Sequence, residues 1–156
     1  MHIEIERKFL VDKEKWKEVK KDSGKTVQQK YLLAEPDKSI RVRIKGDKGY
    51  ITLKGKSSGF TRNEYEYEIP LQDAGELMEH FPGGLILKTR YKIMFGGKLW
   101  EVDEFRDANE GLIVAEIELK AEDESFELPE WVGQEITNDA RYYNASLSKN
   151  PFKSWD

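Results

Sequence analysis

The strongest constraint on this chain is an alternation of charged and apolar residues that recurs in seven short stretches. They are Glu4-Ile5-Glu6-Arg7-Lys8, Arg41-Val42-Arg43-Ile44-Lys45, Ile51-Thr52-Leu53-Lys54, Glu64-Tyr65-Glu66-Tyr67-Glu68, Lys88-Thr89-Arg90-Tyr91-Lys92, Glu101-Val102-Asp103 and Glu116-Ile117-Glu118. In a β-strand, residues two apart share a face. Each stretch therefore presents one charged face and one mostly apolar face. Some of these faces are acidic, some are basic, and the first carries both signs. A solvated sheet mixes signs so that neighbours pair across strands. Segregation by strand points instead to a concave site for a polyanion and its metal ions.

Turn and cap signals divide the rest. Strands are expected at 3–11, 27–33, 39–45, 50–56, 61–70, 85–95, 98–105 and 112–120, an antiparallel meander with hairpins at Gly46-Asp47-Lys48-Gly49 and Gly96-Gly97. Asp12 caps a short helix to about Lys21, and Gln72–Phe81 has helical spacing until Pro82-Gly83-Gly84 stops it. Ile136, Ala140, Tyr143 and Leu147 fit one face of a tail helix. The apolar strand faces must be buried, and the helices are available to cover them. Eight strands can close and so remove their edges. The expected fold is α+β: a closed eight-stranded antiparallel β-barrel with a charged lumen and a few flanking helices, one domain over residues 1–156.

Composition narrows the function. The net charge of −4 gives no global field for nucleic acid, so any anion site is local. The absence of cysteine removes disulfides, thiolate catalysis and zinc–cysteine sites. No apolar run reaches the ~18 residues of a membrane span, and no signal-peptide pattern opens the chain. A cytoplasmic protein without membrane or nucleic-acid partners is expected. His2 and His80 lack a third soft ligand and are read as surface residues, and Trp16, Trp100 and Trp131 as packing.

The two sets of charges have complementary chemistry. Glu4, Glu6, Asp103, Glu116 and Glu118 offer hard oxygen ligands of the kind that suit Mg²⁺ or Mn²⁺, and also Ca²⁺. Lys8, Arg41, Arg43, Lys54, Lys88 and Arg90 offer donors for phosphate oxygens. Carboxylates holding a divalent metal opposite a basic wall form an arrangement for phosphoryl transfer.

With those residues in view, the chain resembles the CYTH superfamily, the triphosphate tunnel metalloenzymes. The Glu-x-Glu-x-Lys pattern of Glu4, Glu6 and Lys8 is followed in order by Arg41-Val42-Arg43, Thr52-Leu53-Lys54, Arg62-Asn63-Glu64-Tyr65-Glu66, Lys88-Thr89-Arg90-Tyr91, Glu101-Val102-Asp103, Ala115-Glu116-Ile117-Glu118 and a closing Thr137–Asn144 motif. The resemblance implies a charged tunnel with metal at Glu4, Glu6, Asp103, Glu116 and Glu118. It also implies a triphosphate gripped by Lys8, Arg41, Arg43, Lys54, Lys88 and Arg90, with Arg141 reaching in from the tail as a plug. Lys8, Glu4 and Glu6 would carry catalysis, and Glu64 and Glu66 match acidic tunnel positions of unassigned role. The expected activity is hydrolysis of inorganic tripolyphosphate with Mg²⁺ or Mn²⁺. The alternatives are a class IV adenylate cyclase, a nucleoside or thiamine triphosphatase, and a non-catalytic polyphosphate-binding module. Monomer and homodimer both remain open.

Overall fold

The computed structural model describes residues 2–155. Its elements in chain order are β1 (Ile3–Val11), α1 (Lys13–Lys17), β2 (Lys25–Glu35), β3 (Lys38–Lys45), β4 (Lys48–Lys54), β5 (Thr61–Ile69), α2 (Leu71–His80), β6 (Ile86–Phe95), β7 (Lys98–Phe105), β8 (Ile113–Glu118), β9 (Val132–Glu135) and α3 (Asn144–Lys149). The sheet runs β5-β4-β3-β2-β6-β7-β8-β1-β9, and β5 pairs with β1 to close the first eight strands into an antiparallel barrel. That closure rests on Ile3↔Asn63, Glu4↔Arg62 and Ile5↔Thr61. Further along the same edge of β1, Phe9 and Val11 pair with β9 instead. The eight expected strands are all present, and β9 is an addition.

Phase decides what is buried. The outward residues Phe9, Trp100, Val102, Ala115 and Ile117 pack beneath Trp16 of α1, with Leu119 and Trp131. On the far side, Ala74 and Met78 of α2 cover Val42. Arg7 also points outward. Its guanidinium lies 5.8, 5.6 and 5.1 Å from the ring centroids of Phe9, Phe60 and Phe126, and it donates to Glu135 at 2.8 and 2.6 Å. A cation on the apolar face is thus both paired and stacked. Inside the barrel, the sequence of inward residues changes character near one end. Ile86, Phe105 and Val114 pack with Ile136 and Leu147 of the tail, and Leu10 joins them.

Both short helices have local causes. The Asp12 side chain accepts from Lys15 N at 3.0 Å and starts α1. The helix stops at Lys17, short of the expected Lys21, because Lys21 Nζ caps the carbonyls of Trp16 and Val19 at 2.9 and 3.1 Å. The continuous tail helix is not formed. Asp139 accepts from Arg141 N at 3.2 Å, which sets a 3₁₀ turn over Ala140–Tyr142. Tyr143 is then extended (φ −65°, ψ 137°), and α3 begins only at Asn144. A local side-chain hydrogen bond has overridden the helical periodicity.

The tail is seated closely on the barrel. A Cβ built on Gly84 would lie 2.2 Å from the Ser148 carbonyl oxygen, so only glycine permits this approach. Gly84→Ala should displace α3 and lower stability by about 1–3 kcal/mol. Urea denaturation would show the loss, and faster amide exchange at Leu147 would locate it.

Candidate active site

The lumen encloses a cavity of about 540 Å³ lined by Glu4, Glu6, Lys8, Arg41, Arg43, Lys54, Lys88, Arg90, Glu116 and Glu118. Residues scattered over the sequence converge because each lies on the inward phase of its strand. Strand register then sets who faces whom. Glu6 lies opposite Glu118, Lys8 opposite Glu116, and Glu101 opposite Glu116.

On the acidic side, Lys8 Nζ sits 3.5 Å from Glu6 and 3.8 Å from Glu116. Burial opposes its charge, but Glu116, Glu6 and Glu4 outweigh that cost and raise its pKa, so it stays an ammonium. Lys54 Nζ donates to both oxygens of Glu4 at 2.9 and 3.0 Å and lies 3.4 Å from Glu64. The Glu4 carboxyl is nonetheless pushed up, first by burial and then by Glu64, against the pull of Lys54. Glu118 is pushed up by burial and by its like-charged neighbours Glu4, Glu6 and Glu101. These carboxylates crowd one another, and a hard dication would relieve that repulsion. The donor set fits such an ion. Among the described residues no three of these carboxylates converge at ligating distance, so binding would require side-chain rotation.

The basic side is held by neutral and acidic partners behind it. Arg41 Nη2 donates to Thr52 Oγ1 at 3.1 Å, and Thr52 donates onward to Glu66 at 2.9 Å. Arg41 Nε is buried with no partner among the described residues. An unsatisfied N–H in a cationic wall is what an anion's oxygen would complete. Arg43 Nε donates to Gln29 Oε1 at 2.8 Å. Burial, Arg41 and Arg90 press Arg43 down to about 9, and it remains a cation at neutral pH.

Two expected site residues are placed elsewhere. Asp103, expected among the metal ligands, does not line the cavity and is only 1% exposed. Both its oxygens accept from Arg90, at 2.8 and 2.9 Å, and Lys88 Nζ lies 2.8 Å away. Burial works against its charge, but Arg90 and then Lys88 hold its carboxyl well below the usual carboxylate range. With three cationic N–H groups upon it, Asp103 braces the basic wall. Arg141, expected to plug the lumen, has a side chain 64% exposed and pairs with Asp139. Its guanidinium lies over Tyr142 and Trp155. The broken tail helix turns it outward.

Other lining residues, Tyr31 apart, belong to the stretches and motifs read from the sequence, which assign them no role at the site. Tyr31, Thr52, Arg62, Glu101, Tyr143 and Asn144 face the cavity, as do Glu64 and Glu66. Phase alone marks Glu101, which shares a face with Asp103. Asn144 ends the Thr137–Asn144 motif, and its place at the cavity becomes visible only once α3 is seated.

A closed antiparallel barrel with carboxylates facing a basic wall defines a protein built to hold a polyanion together with cations. The CYTH domain model matches residues 2–150, and the chain belongs to the CYTH family. It is 49% identical over 156 residues to an inorganic triphosphatase of Acetivibrio thermocellus, covering 99% of each chain. It is 35% identical over 149 residues to an inorganic triphosphatase of Nitrosomonas europaea, covering 93% of this chain and 96% of the other. Among solved structures it is similar to the inorganic triphosphatase NE1496, with a TM-score of 0.65, 33% identity and 95% of both chains covered. No helix among the described residues is long and apolar enough to cross a membrane.

Removing the carboxylate that braces Arg90 and Lys88 has a definite cost. Asp103→Asn leaves buried charge uncompensated and should destabilise the fold by about 3–5 kcal/mol in urea. The native carboxyl titrates below its unfolded value of about 4. Its contribution is therefore complete above that pH and fades as the pH falls below it. The variant should accordingly show a flatter loss of stability in acid than the parent.

Proposed function

We propose that this protein is a metal-dependent inorganic triphosphatase that hydrolyses tripolyphosphate within the barrel. The observation that carries the reading is one cavity with a carboxylate cluster on one side and buried arginines, one with an unsatisfied N–H, on the other. The two inorganic triphosphatases that it resembles over nearly their full length support the choice of substrate.

Arg41, Arg43, Arg90 and Lys54 neutralise and orient the three phosphates through the donors that their protein partners leave free. Glu4, Glu6 and Glu118, with Glu116 behind them, would hold Mg²⁺ or Mn²⁺. When bound, such an ion screens the phosphate oxygens and acidifies a nearby water. Lys8 sits between the two carboxylate strands and supplies positive charge where negative charge develops on the transferring phosphoryl group. A glutamate of this cluster accepts the water proton as the water oxygen attacks the terminal phosphorus. The bridging P–O bond breaks, and pyrophosphate leaves with its electron pair. The burial, and then the crowding, that raise Glu4 and Glu118 favour that acceptance.

Lys8→Ala and Glu6→Gln should each lower kcat by about 10²–10³. Phosphate release would be measured from tripolyphosphate, ATP, thiamine triphosphate and pyrophosphate, each with Mg²⁺ and with Mn²⁺. Near-parental turnover in both variants would sink the reading. Cyclic AMP and pyrophosphate from ATP would replace it with a cyclase. Chelation should abolish turnover, and adding back either metal should restore it.

A further inference from the structure

Beneath the basic wall lies a chain of side-chain amides that no charge pattern reveals. Gln29 of β2 is fully buried. Its Oε1 accepts from Arg43 Nε at 2.8 Å, and its Nε2 donates to Asn144 Oδ1 at 3.1 Å. The same Asn144 oxygen accepts from Lys88 Nζ at 3.0 Å. The chain thus joins cations on β3 and β6 through one residue of β2 and the first residue of α3.

The polarity of this chain is forced. Arginine and lysine have donors and no acceptor. Arg43 therefore requires the oxygen of Gln29, which turns the Gln29 nitrogen toward Asn144. Lys88 and that nitrogen then both require the oxygen of Asn144. Neither amide can flip without setting donor against donor. The Asn144 Nδ2 is what remains. It donates to no other group among the described residues, and it is not one of the two buried unpartnered side-chain atoms, Arg41 Nε and Trp100 Nε1. Asn144 lines the cavity together with Arg43, Lys88 and Arg90.

We infer that Asn144 contacts the substrate directly, its Nδ2 donating a neutral hydrogen bond to a phosphate oxygen beside Lys88, and that Gln29 is the positioning residue that fixes this orientation. This rests on the triphosphatase reading. A neutral donor has a physical advantage here. Arg43, Lys88 and Arg90 already crowd the wall with positive charge, and burial and neighbouring cations press Arg43 and Lys88 toward neutrality. Another cation would raise that cost, whereas an amide adds a donor without charge. Since Asn144 opens α3, the contact also ties the seating of the tail to the recognition of substrate.

The test measures tripolyphosphate binding by calorimetry without metal, and kcat and KM with Mg²⁺, for the parent and three variants. Asn144→Ala removes the donor and should raise both Kd and KM at least tenfold, with a smaller change in kcat. Asn144→Asp keeps both accepted hydrogen bonds, so its melting temperature should hold, but it turns the free donor into an anion and should raise KM more steeply. Gln29→Met leaves the Asn144 donor in place but frees its orientation, and removes the acceptor of Arg43 Nε as well; it should raise KM less than Asn144→Ala does. Parental Kd and KM in Asn144→Ala overturn the contact, even if Asn144→Asp binds weakly, because repulsion by the new charge would account for that. A loss of melting temperature in Asn144→Ala with Kd unchanged overturns it too, as a purely structural role. Should Asn144→Ala fail to fold, parental KM in Asn144→Asp would overturn it. A parent that binds tripolyphosphate without hydrolysing it overturns the hydrolytic reading and leaves the contact to be judged by Kd. A parent that neither binds nor hydrolyses overturns both.

Discussion

The basic half of the lumen depends on one carboxylate. Asp103 takes two hydrogen bonds from Arg90 and lies within 2.8 Å of Lys88, so a single buried anion is the main counter-charge of two buried cations, with Glu101 and Glu116 farther from Arg90 at 3.5 and 3.7 Å. Isolated, each of those cations would cost several kcal/mol to bury. The arrangement is tied to strand register, because Arg90 and Asp103 are direct partners across β6 and β7. A slip of one residue would send Asp103 to the outer face, into the layer of Trp100 and Val102. Charge pairing and sheet register therefore specify one another. The surplus of positive charge that Asp103 leaves uncancelled is available to a bound anion.

The closed barrel was legible because its two faces differ so strongly. Apolar residues at Phe9, Val42, Trp100 and Ile117 and charged residues at Glu6, Arg43, Asp103 and Glu116 alternate without conflict, so phase identifies the lumen. A period of two does not encode depth, however. Glu101 and Asp103 share a face, and only the structure separates the one that reaches the cavity from the one sealed beneath it. The strand β9 was hidden because Val132-Gly133-Gln134-Glu135 is short and carries one apolar residue. It pairs because β1 offers a free edge beyond its contact with β5. Arg141 was misplaced for a different reason. Its position follows from a turn set by Asp139, and such a local hydrogen bond leaves no trace in helical periodicity. Gln29 and Asn144 are uncharged and common in composition, and what gives them meaning is the set of cations around them.

The outer wall shows the same economy of charge. Arg7 lies between Glu6 and Lys8 in sequence yet belongs to the opposite face, where Glu135 and three phenylalanines receive it. The run that looks most highly charged in the chain is thus divided between two environments. Coverage of the wall is uneven. Trp16 and Trp131 seal the β1–β7–β8 side and α2 covers β3, while Tyr65 and Tyr67 on β5 remain exposed.

The closure of the barrel through Ile3–Ile5 and Thr61–Asn63 has a consequence for how the molecule is made. β1 precedes the other eight strands in chain order, but none of its partners is its neighbour in sequence. It must wait for β5, β8 and β9, all of which follow much later in the chain. Long-range pairings of this kind carry a large loop-closure cost before they gain contacts. The hairpins β3–β4 and β6–β7 can form locally during that wait. Glu4, Glu6 and Lys8 therefore precede the other site residues in chain order yet depend on the later strands for their setting, so the site is complete only when those strands clasp β1.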